Sequence, residues 1–270
     1  MRNIPVYFID TFTSEKFKGN PTAVCLISNS ISETEMLLIA KEFNLPVTAF
    51  VEMAESNGSL YNIQYFTTLT EIPACGHASL AAAKVVSMLK NRESLQLKPK
   101  QGSIIEVSIH NDQIVMSYPK YEVEEFSVTK ELAKSLSLEE YISIGFSGEL
   151  ETLFIELPDP EILRNLKPDY RQLIKSTDKI KEVVITSLSD DKQYDYLLRS
   201  FCPWIGIDED PVTGSVHSVL SGFWAKKLNK NNLHAYQASE RGGELFIKNF
   251  ANKVELGGNA FLIMEGSFYF

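Results

Sequence analysis

The chain predicts an α+β fold made of two similar halves, and three observations carry that prediction. Strand-like and helix-like stretches mix along the 270 residues without strict β-α-β alternation. Two glycine-led segments, Cys75-Gly76-His77-Ala78-Ser79-Leu80 and Thr213-Gly214-Ser215-Val216-His217-Ser218, echo each other 138 positions apart, close to half the chain. Each opens a helix rich in small residues: Ala78, Ala81, Ala82 and Ala83 in the first, Val216, Ser218, Ser221 and Gly222 in the second. Short side chains let neighbouring elements approach closely, so such a helix can be enclosed by a sheet. A surface helix would instead show one apolar stripe and one charged face.

The elements follow in order. Val6-Tyr7-Phe8-Ile9 reads as a strand. Ser32-Glu33-Thr34-Glu35 is a capping box, and Met36, Ile39, Ala40 and Phe43 continue at helical spacing to a stop at Asn44. Strands are expected at Thr48–Met53 and Tyr61–Phe66. Ser103–Ile109 and Gln113–Tyr118 flank Asn111-Asp112, a hairpin signal. A domain boundary is placed at Tyr118-Pro119, giving an N-terminal domain of residues 1–118 and a C-terminal domain of 119–270. Thr129–Leu136 reads as a helix, and Asp159-Pro160 as an N-cap followed by proline at the first helical position. Ile180–Thr186 and Tyr194–Phe201 look like buried strands, and Glu244–Asn249 with Lys253–Leu256 like a hairpin. Residues 261–270 are strand-like and a candidate to return to the first half.

Composition excludes several classes. Hydrophobic residues make up 44 % and charged residues 23 %, ordinary for a soluble globular protein. A net charge of −9 without a basic cluster argues against nucleic acid and anionic membrane surfaces as partners. Cys25, Cys75 and Cys202 are odd in number and widely spaced, so a disulfide framework is not expected and a reducing cytoplasm is. The N-terminus lacks a signal-peptide apolar run, and Ala78–Leu89, interrupted by Lys84, is too short to span a bilayer. His77, His110, His217 and His234 show no metal-binding spacing, and no GxGxxG or GxxxxGK[ST] is present. No metal or organic cofactor is expected.

The candidate chemistry lies at the two glycine-led helix starts. Unpaired first-turn N–H groups and the helix dipole favour an anion there. If the halves face each other, both ends could grip one carboxylate-bearing substrate. Asp210 precedes the second start, where a carboxylate can cap the helix or move a proton. His77 lies in the first turn of the first helix, where the dipole keeps an imidazole neutral. Cys75 is near that start, which favours its thiolate. Taken singly, each of these reads more readily as structural.

In order, the chain carries Gly19-Asn20-Pro21-Thr22-Ala23-Val24, Asn44-Leu45-Pro46-Val47-Thr48-Ala49-Phe50, Cys75-Gly76-His77-Ala78-Ser79, Asp210-Pro211-Val212-Thr213-Gly214-Ser215 and Gln237-Ala238-Ser239-Glu240-Arg241-Gly242-Gly243. Together they resemble the PhzF-like phenazine-biosynthesis family nearly end to end. The resemblance implies the diaminopimelate-epimerase-like fold: two similar domains, each a curved, mostly antiparallel sheet around a central helix, with the active site between them. It implies a cofactor-independent homodimer that isomerises a small carboxylate-bearing metabolite by proton transfer, such as a dihydro-hydroxyanthranilate. It assigns His77 and Asp210 to proton movement, and Gly19, Asn20, Gly76, Thr213, Gly214 and Ser215 to substrate binding. Two departures stand out. The family's glutamate base is replaced by Val47, and the second thiol of the related two-cysteine racemases is replaced by Thr213, while Cys75 matches the first. Proton transfer would then run through His77, Asp210, Cys75 or Glu71. The alternative is a non-catalytic, small-anion-binding member of the same fold.

Overall fold

The structure, a computed structural model, describes residues 2–27, 31–52, 58–111 and 113–270, apart from the side chain of Ser143. Met1, Met53 and Asp112, which fall within the expected N-terminus, second strand and hairpin turn, lie outside the described residues. The chain divides into two compact units, one formed by residues up to Tyr118 together with Glu255–Phe270, the other by Pro119–Val254. Residues 261–270, the candidate to return to the first half, pack with the first unit, and 255–260, assigned in sequence to the C-terminal domain, go with them.

The first unit opens with an antiparallel pair, β1 (Asn3–Thr11) and β2 (Asn20–Ile27). Gly19 ends the connecting loop at φ +70°, where a Cβ would lie 2.1 Å from the Thr11 carbonyl oxygen. Helix α1 (Glu33–Phe43) starts at the expected capping box, Ser32 with Glu35, and stops at Asn44 in a left-handed conformation. It leads to β3 (Val47–Glu52), parallel to β2, and β4 (Leu60–Phe66), antiparallel to β3. The short β5 (Glu71–Ile72) precedes α2 (Gly76–Lys90), and β6 (Ser94–Pro99), β7 (Ile105–His110) and β8 (Gln113–Pro119) complete the set.

The second unit contains α3 (Lys130–Ser135), the pair β9 (Ile142–Ser147) and β10 (Thr152–Glu156), α4 (Pro160–Asn165) and α5 (Tyr170–Ser176). Then come β11 (Glu182–Leu188), parallel to β10, β12 (Tyr196–Cys202), antiparallel to β11, and the short β13 (Ile207–Asp210). Helix α6 (His217–Leu228), β14 (Asn232–Gln237) and β15 (Gly243–Asn249) follow. The chain leaves through β16 (Lys253–Gly258) to β17 (Ala260–Tyr269), which pairs with β1 in the first unit.

The two units repeat one plan. An antiparallel pair, an outer helical segment, a strand parallel to the second of the pair, an antiparallel neighbour, a two- to four-residue strand and a long helix occur in the same order in each. The register repeats as well. Thr22 faces Val47 where β2 meets β3, and Thr152 faces Glu182 where β10 meets β11. One residue further on, Thr48 faces Phe66 in the first unit and Val183 faces Phe201 in the second.

The long helices are enclosed. In α2, Ala78, Leu80, Ala81, Ala82, Ala83, Val85 and Val86 are all fully buried, although they point in different directions around the helix. In α6, Ser218, Leu220, Ser221 and Trp224 are buried. The outer faces of the sheets are covered by α1 in the first unit, over Cys25, Phe50 and Phe66, and by α3–α5 in the second, over Leu153, Ile185 and Phe201.

Enclosure makes a checkable demand. Ala82→Leu should cost about 1–3 kcal/mol by overpacking, whereas Leu38→Ala, exposed on α1, should change stability by about 0.5 kcal/mol or less, both read from denaturant unfolding midpoints.

Candidate functional site

In the first unit the polar side chains gather at the N-terminus of α2. Cys75 is the N-cap, but its side chain makes no capping bond. The Ser79 hydroxyl donates to the Cys75 carbonyl at 2.7 Å and accepts from the Tyr65 hydroxyl at 2.6 Å. Burial pushes the Tyr65 and Tyr118 phenols above their ordinary range, so both remain donors. Asn20 Nδ2 lies 3.1 Å from His77 Nδ1. With that amide as donor, Nδ1 accepts and the ring proton sits on Nε2, 3.5 Å from Cys75 Sγ. Burial holds His77 down to about pKa 3, so the imidazole is neutral because it is desolvated rather than because of the helix dipole.

Val47 is buried and shares a sheet face with its register partner Thr22 and with Asn20, two residues along β2. Asn20 meets His77, so this is the α2 face. The Thr22 hydroxyl is fully buried and has no hydrogen-bond partner among the described residues. Glu71 turns to other work, accepting from Gln64 Nε2 at 3.1 Å and pairing with Lys100 at 3.2 Å. Those partners are committed to a carboxylate already engaged in an ion pair.

In the second unit the motif residues converge on Asp210. Its carboxylate accepts a 2.5 Å bond from the Thr213 hydroxyl, and both residues are buried. The fully buried Gln237 straps the loop, its Oε1 accepting from the Thr213 N–H at 2.8 Å and its Nε2 donating to the Asp210 carbonyl at 2.7 Å. The Ser239 hydroxyl adds a 2.6 Å bond to the Pro211 carbonyl and accepts from the Gly242 N–H at 3.1 Å. Gly242 has φ +67°, and a Cβ there would strike the Tyr236 hydroxyl at 2.1 Å. Beneath the loop, Arg199 grips Glu209 with two bonds of 2.7 and 2.8 Å and donates to the carbonyls of Leu163 and Leu166 at the end of α4. The neighbour of Asp210 on β13 is thereby fixed to β12 and α4.

Two expectations need revision here. Asp210 is not the cap of α6, whose N-cap is Val216 without a side-chain bond. Gly214 and Ser215 lie in a tighter lead-in turn, bonded His217 N–H to Gly214 O and Ser218 N–H to Ser215 O, so the α-helix starts at His217. The Gln237–Gly243 motif carried no assigned role in sequence. Its work becomes visible only when β14 is placed beside the loop.

Residues 9–266 match the family model for phenazine biosynthesis-like proteins. The chain belongs to this family. Among similar proteins, an uncharacterized isomerase of Halalkalibacterium halodurans is 35 % identical over 269 residues, covering 98 % of each chain. The crystal structure of a PhzF-family protein from Enterococcus faecalis matches with 34 % identity, full coverage of both chains and a TM-score of 0.91. A hydroxyproline epimerase from Agrobacterium vitis shares the fold at 9 % identity, covering 98 % of this chain and 92 % of that one with a TM-score of 0.58. The α+β, diaminopimelate-epimerase-like fold read from the sequence is thus the fold of the phenazine biosynthesis-like chain. Among the described residues, no group of three or more His, Cys, Asp or Glu is placed to hold a metal, and no helix is long and apolar enough to cross a membrane.

The buried histidines give a pH signature. His77 and His217 both take up protons near pH 6.5 when unfolded but only near pH 3 when folded. Between those values the unfolded state holds more protons, so their contribution is complete above pH 6.5 and is lost as pH falls through the window. His217→Phe should flatten the acid limb by one proton, about 1.4 kcal/mol per pH unit, in unfolding free energies measured from pH 4 to 6.

Proposed function

We propose that this chain is a PhzF-like isomerase or epimerase that moves a proton on a small carboxylate-bearing substrate, with the usual glutamate base replaced by Val47. The observation that carries the reading is Asp210. Four hydrogen bonds from Thr213, Gln237 and Ser239 shape its loop, more than a turn needs to hold itself together. A buried, oriented carboxylate is suited to proton transfer. His77 supports it as a neutral Nε2–H donor beside Cys75, and Cys75 is a second proton-transfer candidate. Gly19 and Asn20 in the first unit, and Gly76, Thr213, Gly214 and Ser215 at the two helix starts, are proposed to bind the substrate. Moving a proton between carbons changes no oxidation state, so the reaction asks for no redox or group-carrying cofactor. The proposal includes a cytoplasmic homodimer, as the family resemblance implies.

A second reading has its own observation. Val47 stands buried on the α2 face beside Asn20, where it can contribute shape but no proton chemistry. On that reading the chain binds a small anion without turning it over.

Incubation in D2O separates the two. With a dihydro-hydroxyanthranilate, proline and 4-hydroxyproline as probes, the isomerase reading expects deuterium on carbon by mass spectrometry, and Asp210→Asn should cut the rate by about 10²–10⁴-fold. Binding of a probe without any exchange favours the second reading. Val47→Glu should create or raise exchange on the ring acid; a folded variant that binds it and stays inert removes that compound as the substrate class.

A further inference from the structure

The repeated plan of the two units puts one residue of the second unit at the position of Val47. Glu182 opens β11 as Val47 opens β3. Each faces a threonine on the preceding parallel strand, Thr152 for Glu182 and Thr22 for Val47. Each is followed by a residue paired with a phenylalanine, Phe201 or Phe66. The hydroxyls report the difference. Thr152 Oγ1 donates to Glu182 Oε2 at 2.8 Å, while the Thr22 hydroxyl, buried opposite Val47, has no partner among the described residues. The same register position thus carries a carboxylate in the second unit and a valine opposite an unpartnered hydroxyl in the first.

Glu182 also shares a face with Asp210. Thr186, four residues along β11, accepts from Trp224 Nε1 of α6, so Glu182 and Thr186 look toward α6. Ser200 donates to Glu182 Oε1 at 2.5 Å and is the register partner of Asp210 across β12 and β13. Directly opposed residues have Cβ atoms about 5 Å apart on one face, so Ser200, bonded to Glu182, stands opposite Asp210. Cys202, the next residue on that face, lies close enough for both carboxylates to raise its thiol further above the ordinary range than burial does alone. Asp210, Glu182 and Glu209 thus all act on Cys202, and Arg199 holds Glu209 in an ion pair. The same interior keeps two polar atoms of α6 unspent: His217 Nε2 and Ser221 Oγ, both fully buried, have no partner among the described residues.

We infer that Glu182 is a proton-transfer group of this chain, working with Asp210 on the α6 face of the second unit. The inference rests on the isomerase reading and supplies the base that Val47 lacks. One carboxylate takes a proton from a carbon of the substrate, and the C–H electron pair moves into the adjoining π system. The other, in its protonated form, delivers a proton to a second carbon as that π pair closes on it. The substrate keeps its formula and oxidation state, and exchange with water restores the two carboxyl groups. Burial raises the Glu182 carboxyl, while Asp210 is held by the Thr213 hydroxyl.

The test is Glu182→Gln, which preserves shape and hydrogen-bonding capacity, read by deuterium incorporation into the three probes named above. Carbon-13 NMR titration of the Glu182 carboxyl in the wild type and in Asp210→Asn provides a substrate-free measurement. The proposal expects exchange to fall by about 100-fold or more with an unchanged thermal midpoint. It also expects the Glu182 midpoint to drop by about half a unit or more once the neighbouring charge is gone. Full exchange in Glu182→Gln overturns the assignment and leaves the isomerase reading intact. If no probe exchanges with the wild type, the titration decides: a Glu182 midpoint indifferent to Asp210→Asn overturns the pair, whereas a coupled midpoint upholds it and places the failure with the isomerase reading.

Discussion

An enclosed helix has covered sides and one open beginning. In α2, residues pointing in several directions are buried, so no lateral face is left for a substrate. The first-turn N–H groups have no intrahelical acceptors, and the strand ends around them are the places where polar side chains can gather. Small residues on α2 and α6 bring the surrounding strands close, and the close strands fix what stands at each register position. The chemistry of this chain follows from that geometry: every candidate group lies on a helix-facing strand position, at a helix start or in the turn just before one.

The duplicated plan turns that geometry into a comparison between copies. Cys75 and Thr213 occupy matching places before their helices, and Ile72 and Asp210 match in the preceding short strands, as the pairings of Tyr65 with Ile72 and Ser200 with Asp210 show. The first unit therefore carries a thiol with a neutral imidazole beside an amide and hydroxyls, and the second carries two carboxylates with hydroxyl donors. A thiol and a carboxylate differ in charge and in hydration, so the two copies suit different proton affinities although they share one backbone.

Much of this was legible in the sequence. The capping box at Ser32 and Glu35, the central helices and the pairing of the motifs at Cys75 and Asp210 depend on local spacing, and local spacing is what a sequence shows. Glu182 was not legible. It closes the charged stretch Asp178–Glu182, and its meaning comes from pairing with Thr152 and Ser200, 30 and 18 positions away. Gln237 escaped for the same reason, since it acts on Asp210 and Thr213 from a different strand. Glu71, close in sequence to Cys75, turned out to be held by Lys100, which sits 29 positions downstream. The α5 helix and the strands β2, β5, β6, β9, β10, β13 and β14 have no counterpart among the expected elements, because their pairing and burial depend on long-range neighbours.

The return of β17 to β1 has a consequence for how the chain is made. Arg2 and Phe270 exchange backbone hydrogen bonds of 3.0 and 2.9 Å, and the pairing runs on from Asn3 with Tyr269 to Thr11 with Ala260. On the ribosome, β1 emerges early and can pair with β2, but its other edge stays open until all of Pro119–Val254 has followed it. The unit begun second can therefore finish first, while the unit begun first carries an unpaired strand edge through most of translation. Such an edge is open to mispairing until β17 closes it.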